Sequence, residues 1–100
     1  MNSNYSQIQE AAYEANMQLP ALGLVLFTFG NVSVVDRVQS VFAIKPSGVP
    51  YEKLTPASMV VVDFEGKVME GNLRPSSDTL THAVLYKHWE DIGSIVHTHS

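Results

Sequence analysis

The sequence has no cysteine, which removes disulfide bonds and thiolate metal sites together. Any metal ion must therefore be held by histidine and carboxylate. Cations are few: six Lys and Arg, nowhere in a run, against ten Asp and Glu. A formal net charge of −4 without a basic cluster offers no electrostatic footprint for nucleic acid or an anionic membrane. An anionic ligand would have to be held locally, by backbone N–H groups, hydroxyls and one or two cations, against that overall field. Long apolar runs are missing too, and the longest fall far below the roughly 20 residues that cross a bilayer. The start, Met1-Asn2-Ser3-Asn4-Tyr5, lacks the basic segment and apolar core of a signal peptide. A cytoplasmic protein with no nucleic-acid or membrane partner is expected.

What is present belongs to a globular chain. At 45% hydrophobic and 16% charged residues the sequence can build a core, and its 100 residues suffice for one small domain or part of a larger one. Tyr5, Ile8, Ala12, Ala15 and Leu19 form one stripe of an amphipathic helix. Asn4 and Gln7 suit its start, and Pro20 and Gly23 suit its end. Residues 24–29 read as a short apolar strand closed by Gly30. Residues 33–36 and 41–44 read as two more strands with a turn between them. Residues 59–63 and 67–69 form a predicted hairpin, with Gly66 supplying the positive φ of its turn. A loop over 70–77 leads to a predicted helix over 79–91, whose inner face is read as Leu80, Val84, Leu85, His88, Trp89 and Ile92, with Gly93 as its C-terminal cap. Residues 94–99 read as a buried strand. Hairpin-linked strands flanked by helices predict an α/β-layered domain with a mostly antiparallel sheet. Because Ser100 falls inside that last strand, a longer protein or a gene fragment is expected.

Four segments carry chemistry. In His97-Thr98-His99, residues two apart on a strand point to the same face, with Cα atoms about 7 Å apart, so two imidazoles could share one tetrahedral Zn²⁺. Two such histidines also occur as plain polar surface. In Pro75-Ser76-Ser77-Asp78-Thr79, Ser77 or Asp78 is an ordinary helix N-cap, or else Ser76 and Ser77 bind a phosphate at a helix start and Asp78 serves a metal. Lys45-Pro46-Ser47-Gly48 combines a cation, a hydroxyl and small residues, but lacks the spacing of a P-loop and by itself is a turn. Gly30-Asn31 closes the first strand and could equally be only a turn. His82 and His88 read as buried or rim histidines satisfied by hydrogen bonds, and Trp89 as core.

Taken together, Phe29-Gly30-Asn31-Val32-Ser33, Ile44-Lys45-Pro46-Ser47-Gly48-Val49, Met59-Val60-Val61-Val62-Asp63, Val68 to Gly71, Pro75-Ser76-Ser77-Asp78-Thr79 with Thr81-His82, and Ile95-Val96-His97-Thr98-His99-Ser100 resemble, in order and spacing, the class II aldolase/adducin family. The resemblance covers essentially the whole chain from the first helix. It implies a three-layer α/β/α fold around a mainly antiparallel sheet, with residues 1–100 as the N-terminal portion of a single domain, and a homotetramer when full length. It implies Zn²⁺ held by Asp78, His97 and His99. It implies a sugar phosphate held by Gly30, Asn31, Ser47, Gly48, Ser76 and Ser77, with Lys45 as an addition.

Asp78, where related aldolases tend to carry Glu, and His-Thr-His in place of His-Asn-His favour the epimerase branch. Its reaction inverts C4 of L-ribulose 5-phosphate to D-xylulose 5-phosphate by retro-aldol cleavage and re-addition. A sugar-phosphate aldolase is the alternative. A non-catalytic fragment of the same fold is the third reading, either an adducin-like head, against which His97 and His99 argue, or a non-functional remnant. The family's remaining zinc histidine, a catalytic Asp and a Tyr are expected beyond Ser100, so no catalytic acid or base is assigned within the chain. Purified residues 1–100 are accordingly predicted to turn over no pentulose phosphate. Epimerisation above the buffer blank, followed by product chromatography, would contradict this.

Overall fold

Uninterrupted apolar strands such as residues 41–44 and 60–62 are stable only when both faces of their sheet are covered. The computed structural model of the protein shows this cover. It describes residues 5–23 and 30–98. The run read as a strand over 24–29 lies outside the described residues, as do Asn4 and His99. In chain order the elements are α1 (Ser6–Ala21), β1 (Asn31–Asp36), β2 (Val41–Ile44), two short 3₁₀ turns (Tyr51–Lys53 and Pro56–Ser58), β3 (Val60–Asp63), β4 (Val68–Glu70), α2 (Thr79–His88) and β5 (Ser94–His97). The sheet runs β4-β3-β2-β1-β5, and every neighbouring pair is antiparallel.

Alternation sorts the strand residues between two cores. Val32, Val41, Ala43 and Val61 face α1 through Ile8, Ala12 and Leu19. Phe42, Ile44, Val60 and Val62 face α2 through Ala83 and Tyr86. The result is the expected α/β/α layering around an antiparallel sheet. Among the described residues no helix is long and apolar enough to cross a membrane.

Helix α1 follows the apolar stripe read from the sequence, yet two polar residues, Gln9 and Asn16, are buried within it. Gln9 Nε2 donates to the Met59 carbonyl at 2.9 Å. Asn16 Nδ2 donates to the Val32 carbonyl at 2.8 Å, and its Oδ1 accepts from the Val32 N–H at 2.8 Å. The β1–β2 ladder begins one residue later, at Ser33↔Ile44, so the amide acts as a strand partner for Val32. Tyr5 holds the N-cap position without a side-chain cap. Pro20 does not end the helix, which continues to Ala21. The last turn closes through Leu22 N–H to Gln18 O at 3.0 Å and Gly23 N–H to Pro20 O at 3.1 Å.

The β3–β4 hairpin turns on Gly66 at φ +89°. A Cβ there would meet only the tip of the exposed Leu80 side chain, which can swing aside, so it is the positive φ that calls for glycine.

Helix α2 corrects the sequence reading. It stops at His88, its C-cap is Trp89 rather than Gly93, and its buried residues are Thr79, His82, Ala83 and Tyr86. Leu80 (68%), Val84 (54%) and Trp89 (56%) are exposed, and His88 is exposed with them. Counting apolar side chains selects the wrong face here, because the inward stripe is held by hydrogen bonds among polar residues. Arg37, which lies in the turn after β1, closes the far end of the helix. Its Nη1 donates to the Tyr86 carbonyl at 2.8 Å, and its Nη2 donates to those of Trp89 at 2.7 Å and Ile92 at 2.9 Å. A cation at helix C-terminal carbonyls complements both their unpaired lone pairs and the macrodipole.

Strand β5 is also less buried than expected. It forms a sheet edge of alternating exposure.

Replacing Asn16 by Leu strands two buried backbone groups of Val32, each costing about 1–3 kcal/mol. Asn16→Leu should therefore lower unfolding free energy by about 2–4 kcal/mol, while Gln18→Ala, at an exposed position, should stay within about 0.5 kcal/mol. Urea unfolding midpoints at constant slope measure both.

Candidate functional site

Two loops that are remote in sequence are stitched together at the end of the sheet. Ser47 N–H donates to the Arg74 carbonyl at 2.8 Å, and Ser76 N–H donates to the Lys45 carbonyl at 3.0 Å. Between these bonds Pro46 and Pro75 form an isolated antiparallel bridge. Proline has no N–H to offer, so the flanking residues carry the pairing. Gly48 follows at φ +73°.

The stitched loops form one wall of a cavity of about 470 Å³. Ser47, Gly48, Ser76 and Ser77 line that wall, Gly30 and Asn31 come from the start of β1, and Asp78 and His97 come from the start of α2 and the end of β5. Lys45 and Pro46 complete the lining. Every site residue read from the sequence thus faces one cavity, except His99, which lies outside the described residues.

Asp78 occupies the N-cap position of α2 but makes no side-chain cap. Ser76 braces the turn into the helix, with Oγ accepting from Asp78 N–H at 3.2 Å and its carbonyl accepting from Thr79 Oγ1 at 2.6 Å. The Asp78 carboxylate is released toward the cavity. There its Oδ2 accepts from Asn31 Nδ2 at 2.9 Å and is in direct contact with His97 Nδ1. Burial opposes ionisation of Asp78, but the Asn31 hydrogen bond and the contact with His97 outweigh it and hold the carboxyl below its usual range. With Nδ2 fixed on the carboxylate, Asn31 turns Oδ1 the other way, buried and, among the described residues, without a partner. An orphaned acceptor at a cavity wall suits a ligand that brings a donor.

Behind this pair lies a buried polar chain. Ser33 Oγ meets His82 Nδ1 at 2.6 Å and Tyr86 Oη at 2.7 Å, while Tyr86 Oη donates to the Ser33 carbonyl at 3.0 Å. One proton order serves all three contacts: Tyr86 O–H to the carbonyl, Ser33 O–H to Tyr86, and His82 Nδ1–H to Ser33. Burial holds His82 below the usual imidazole range despite the nearby Asp78 carboxylate, so its ring is neutral at pH 7. His82 is therefore the hydrogen-bonded core histidine read from the sequence.

Lys45 lines the cavity from a buried position, 2% exposed, with its Nζ 5.0 Å from the Tyr51 ring centroid and 3.4 Å from the Pro46 carbonyl. Tyr51 itself, which sequence reasoning missed, donates to the Gly30 carbonyl at 2.8 Å and pins the β1 entrance. No local pattern marks that role, since 21 residues separate the two.

The profile of the class II aldolase and adducin N-terminal domain matches residues 10–100. The chain belongs to this family. Among solved structures it is similar to an L-fuculose 1-phosphate aldolase at 33% identity and TM-score 0.87, covering 100% of this chain and 46% of that one. It is also similar to the L-fuculose-1-phosphate aldolase of Thermus thermophilus, at 32% identity and TM-score 0.72, covering 94% of this chain and 48% of that one. The YgbL protein of Klebsiella pneumoniae shares the fold at 24% identity and TM-score 0.83, covering 99% of this chain and 47% of that one. The chain spans about half the length of these class II aldolase-fold structures.

Among the described residues no cluster of three or more His, Asp or Glu is poised for a metal. Asp78 and His97 supply two adjacent donors, one carboxylate oxygen and one imidazole nitrogen, which suit Zn²⁺ in kind.

Burial pushes the hydroxyls of Tyr51 and Tyr86 up to about 12. Their unfolded value is lower, about 10, so the unfolded chain loses these protons first and stability falls as pH rises from about 10 toward 12. Each tyrosine should withdraw about 2 kcal/mol over that window. Urea midpoints at pH 9 and pH 11.5 test this, and Tyr51→Phe should flatten the drop.

Proposed function

We propose that residues 1–100 form the N-terminal portion of a single class II aldolase-type domain and contribute the phosphate-holding, metal-facing half of a sugar-phosphate active site. The reading rests on one observation: the Asp78–His97 pair and the serine wall of the stitched loops open onto the same cavity. Asp78 and His97, joined by His99, would hold Zn²⁺. When bound, Zn²⁺ would supply Lewis-acid stabilisation of the negative charge that develops during carbon–carbon cleavage.

The reaction proposed for the full-length protein is 4-epimerisation of L-ribulose 5-phosphate to D-xylulose 5-phosphate. C4 bears no acidic proton, so inversion requires breaking the C3–C4 bond. The C4 hydroxyl loses its proton, C4 becomes an aldehyde carbon, and the bonding pair stays with C3 as part of an enediolate. Glycolaldehyde phosphate then rotates and is attacked on its other face, and its oxygen regains a proton. Ser47, Gly48, Ser76 and Ser77 hold the phosphate of the departing fragment so that re-addition outcompetes escape. Asn31 Oδ1 accepts from a substrate hydroxyl, and its Nδ2 keeps Asp78 in place. Groups that move the C4 proton are proposed to lie outside these residues. A cytoplasmic homotetramer belongs to the same proposal.

Asp78 and Thr98 favour epimerisation. The 33% identity to an L-fuculose 1-phosphate aldolase favours a second reading, cleavage without re-addition. Incubation of the natural full-length protein with L-ribulose 5-phosphate should yield D-xylulose 5-phosphate. Release of dihydroxyacetone phosphate from L-fuculose 1-phosphate, with no epimerised pentulose, would select the aldolase. Asp78→Ala should lower bound zinc and reduce turnover at least about 100-fold, in line with the loss of a metal-site group. Full zinc content and turnover in that variant would sink the metal assignment.

A further inference from the structure

The Asp78–His97 pair borders two cavities, the first and a third of about 250 Å³ that Thr81, His82, Leu85 and Ile95 complete. The Asp78 side chain is 30% exposed and that of His97 44%, so packing alone does not fix how they meet. Their geometry depends on hydrogen bonds and on where α2 and β5 lie against the sheet. Strand β5 is placed by its ladder with β1, in which His97 is the partner of Asn31. Helix α2 has no ladder to place it. Its buried side chains are Thr79, His82, Ala83 and Tyr86, of which only Ala83 is purely apolar.

Polar contacts supply what packing does not. Asn31 and Ser33, two apart on β1, share a face and stand about 7 Å apart. Asp78, His82 and Tyr86, four apart on α2, share a stripe with a step of about 6 Å. The two steps nearly match, so the helix meets the strand rung by rung. The first rung is Asn31 Nδ2 on Asp78 Oδ2 at 2.9 Å. The second is Ser33 Oγ on His82 Nδ1 at 2.6 Å, braced by Tyr86 Oη at 2.7 Å. A slip of α2 by one residue would turn its contacts by about 100° and break both rungs. The second rung is the buried one, with Ser33 0% and His82 2% exposed, so its loss would leave polar groups stranded. The register of the helix is therefore set there, and the half-exposed first rung follows it.

We infer that His82 is a positioning residue: through Ser33 it sets the register of α2 on β1 that brings the Asp78 carboxylate onto His97. This deepens the metal-facing role proposed above for that pair and rests on it. His82 acts through Asp78 and not on the substrate. What the site requires of it is the bond to Ser33, not the bulk of the ring. An asparagine amide can place an N–H donor where Nδ1–H stands now. A leucine fills similar space and offers no donor.

The natural full-length protein and its His82→Leu, His82→Asn, Ser33→Ala, Val62→Ala and Asp78→Ala variants provide the test. Two readouts are used: the NMR signals of the His97 ring nitrogens in metal-free protein, and the dissociation constant of Zn²⁺, measured against a chromophoric chelator. His82→Leu should move the His97 signals toward those of Asp78→Ala and weaken Zn²⁺ about tenfold, within the range that loss of an outer partner costs. Ser33→Ala removes the other end of the same bond and should do the same, and it carries the test if His82→Leu does not fold. His82→Asn should restore most of both readouts. Val62→Ala opens a cavity in the core that faces α2 but spares the rungs. It registers lost stability alone, and should leave both readouts in place. If Val62→Ala moves them as far as His82→Leu or Ser33→Ala does, the role is merely structural and the inference is overturned. Unchanged His97 signals and zinc affinity in Ser33→Ala, with zinc weakened in Asp78→Ala, would overturn it too and leave the metal reading standing. If the wild-type protein binds Zn²⁺ no better than Asp78→Ala, the metal reading falls and the inference falls with it.

Discussion

Two backbone hydrogen bonds, Ser47 N–H to Arg74 O and Ser76 N–H to Lys45 O, hold this structure's candidate site in being. They join the segment leaving β2 to the segment entering α2, with the Pro46–Pro75 bridge between them. Without that seam the serines would belong to two unrelated loops, and Asp78 would be an ordinary helix-start residue. With it, Ser76 braces the turn into α2 and the Asp78 carboxylate faces the cavity. The prolines contribute rigidity and, having no N–H, cannot divert the pairing.

Behind the seam, polar groups are buried in an ordered way. Asn16 completes the backbone of Val32 from the α1 side, and Ser33, His82 and Tyr86 bond one another on the α2 side. The two networks bracket the first residues of β1, from which Asn31 reaches Asp78. A buried polar network that is fully paired fixes one packing arrangement, whereas an apolar contact would tolerate several. Here it holds the strand that delivers Asn31 and the helix that delivers Asp78 in a single relative position.

The strands were legible because residues 41–44 and 60–62 are continuous apolar runs, and the hairpin because Gly66 stands between the second run and the short strand that follows. The motif residues of the cavity were legible as segments whose order and spacing match a family. Three features were not, and each depends on contacts that no local pattern reveals. The inner face of α2 is chosen by Ser33, 49 residues before His82, so the apolar pattern at Leu80 and Val84 misleads. The exposure of the Asp78 carboxylate is decided by Asn31, 47 residues away. The burial of Lys45 is decided by the Tyr51 ring, across a turn that gives no sign of the contact. Local propensity reads bonds along the chain and is blind to those across it.

Arg37 clasps the last carbonyls of α2 while Asp78 heads its first turn, so the helix is a strut of set length between a clamp and a working end. One added residue would rotate everything on one side of it by about 100° and advance it by about 1.5 Å. With the tail gripped by the guanidinium, that rotation would fall on the head and swing the carboxylate off the imidazole of His97. Substitutions on the outer surface of α2 are free to drift, but its residue count is not.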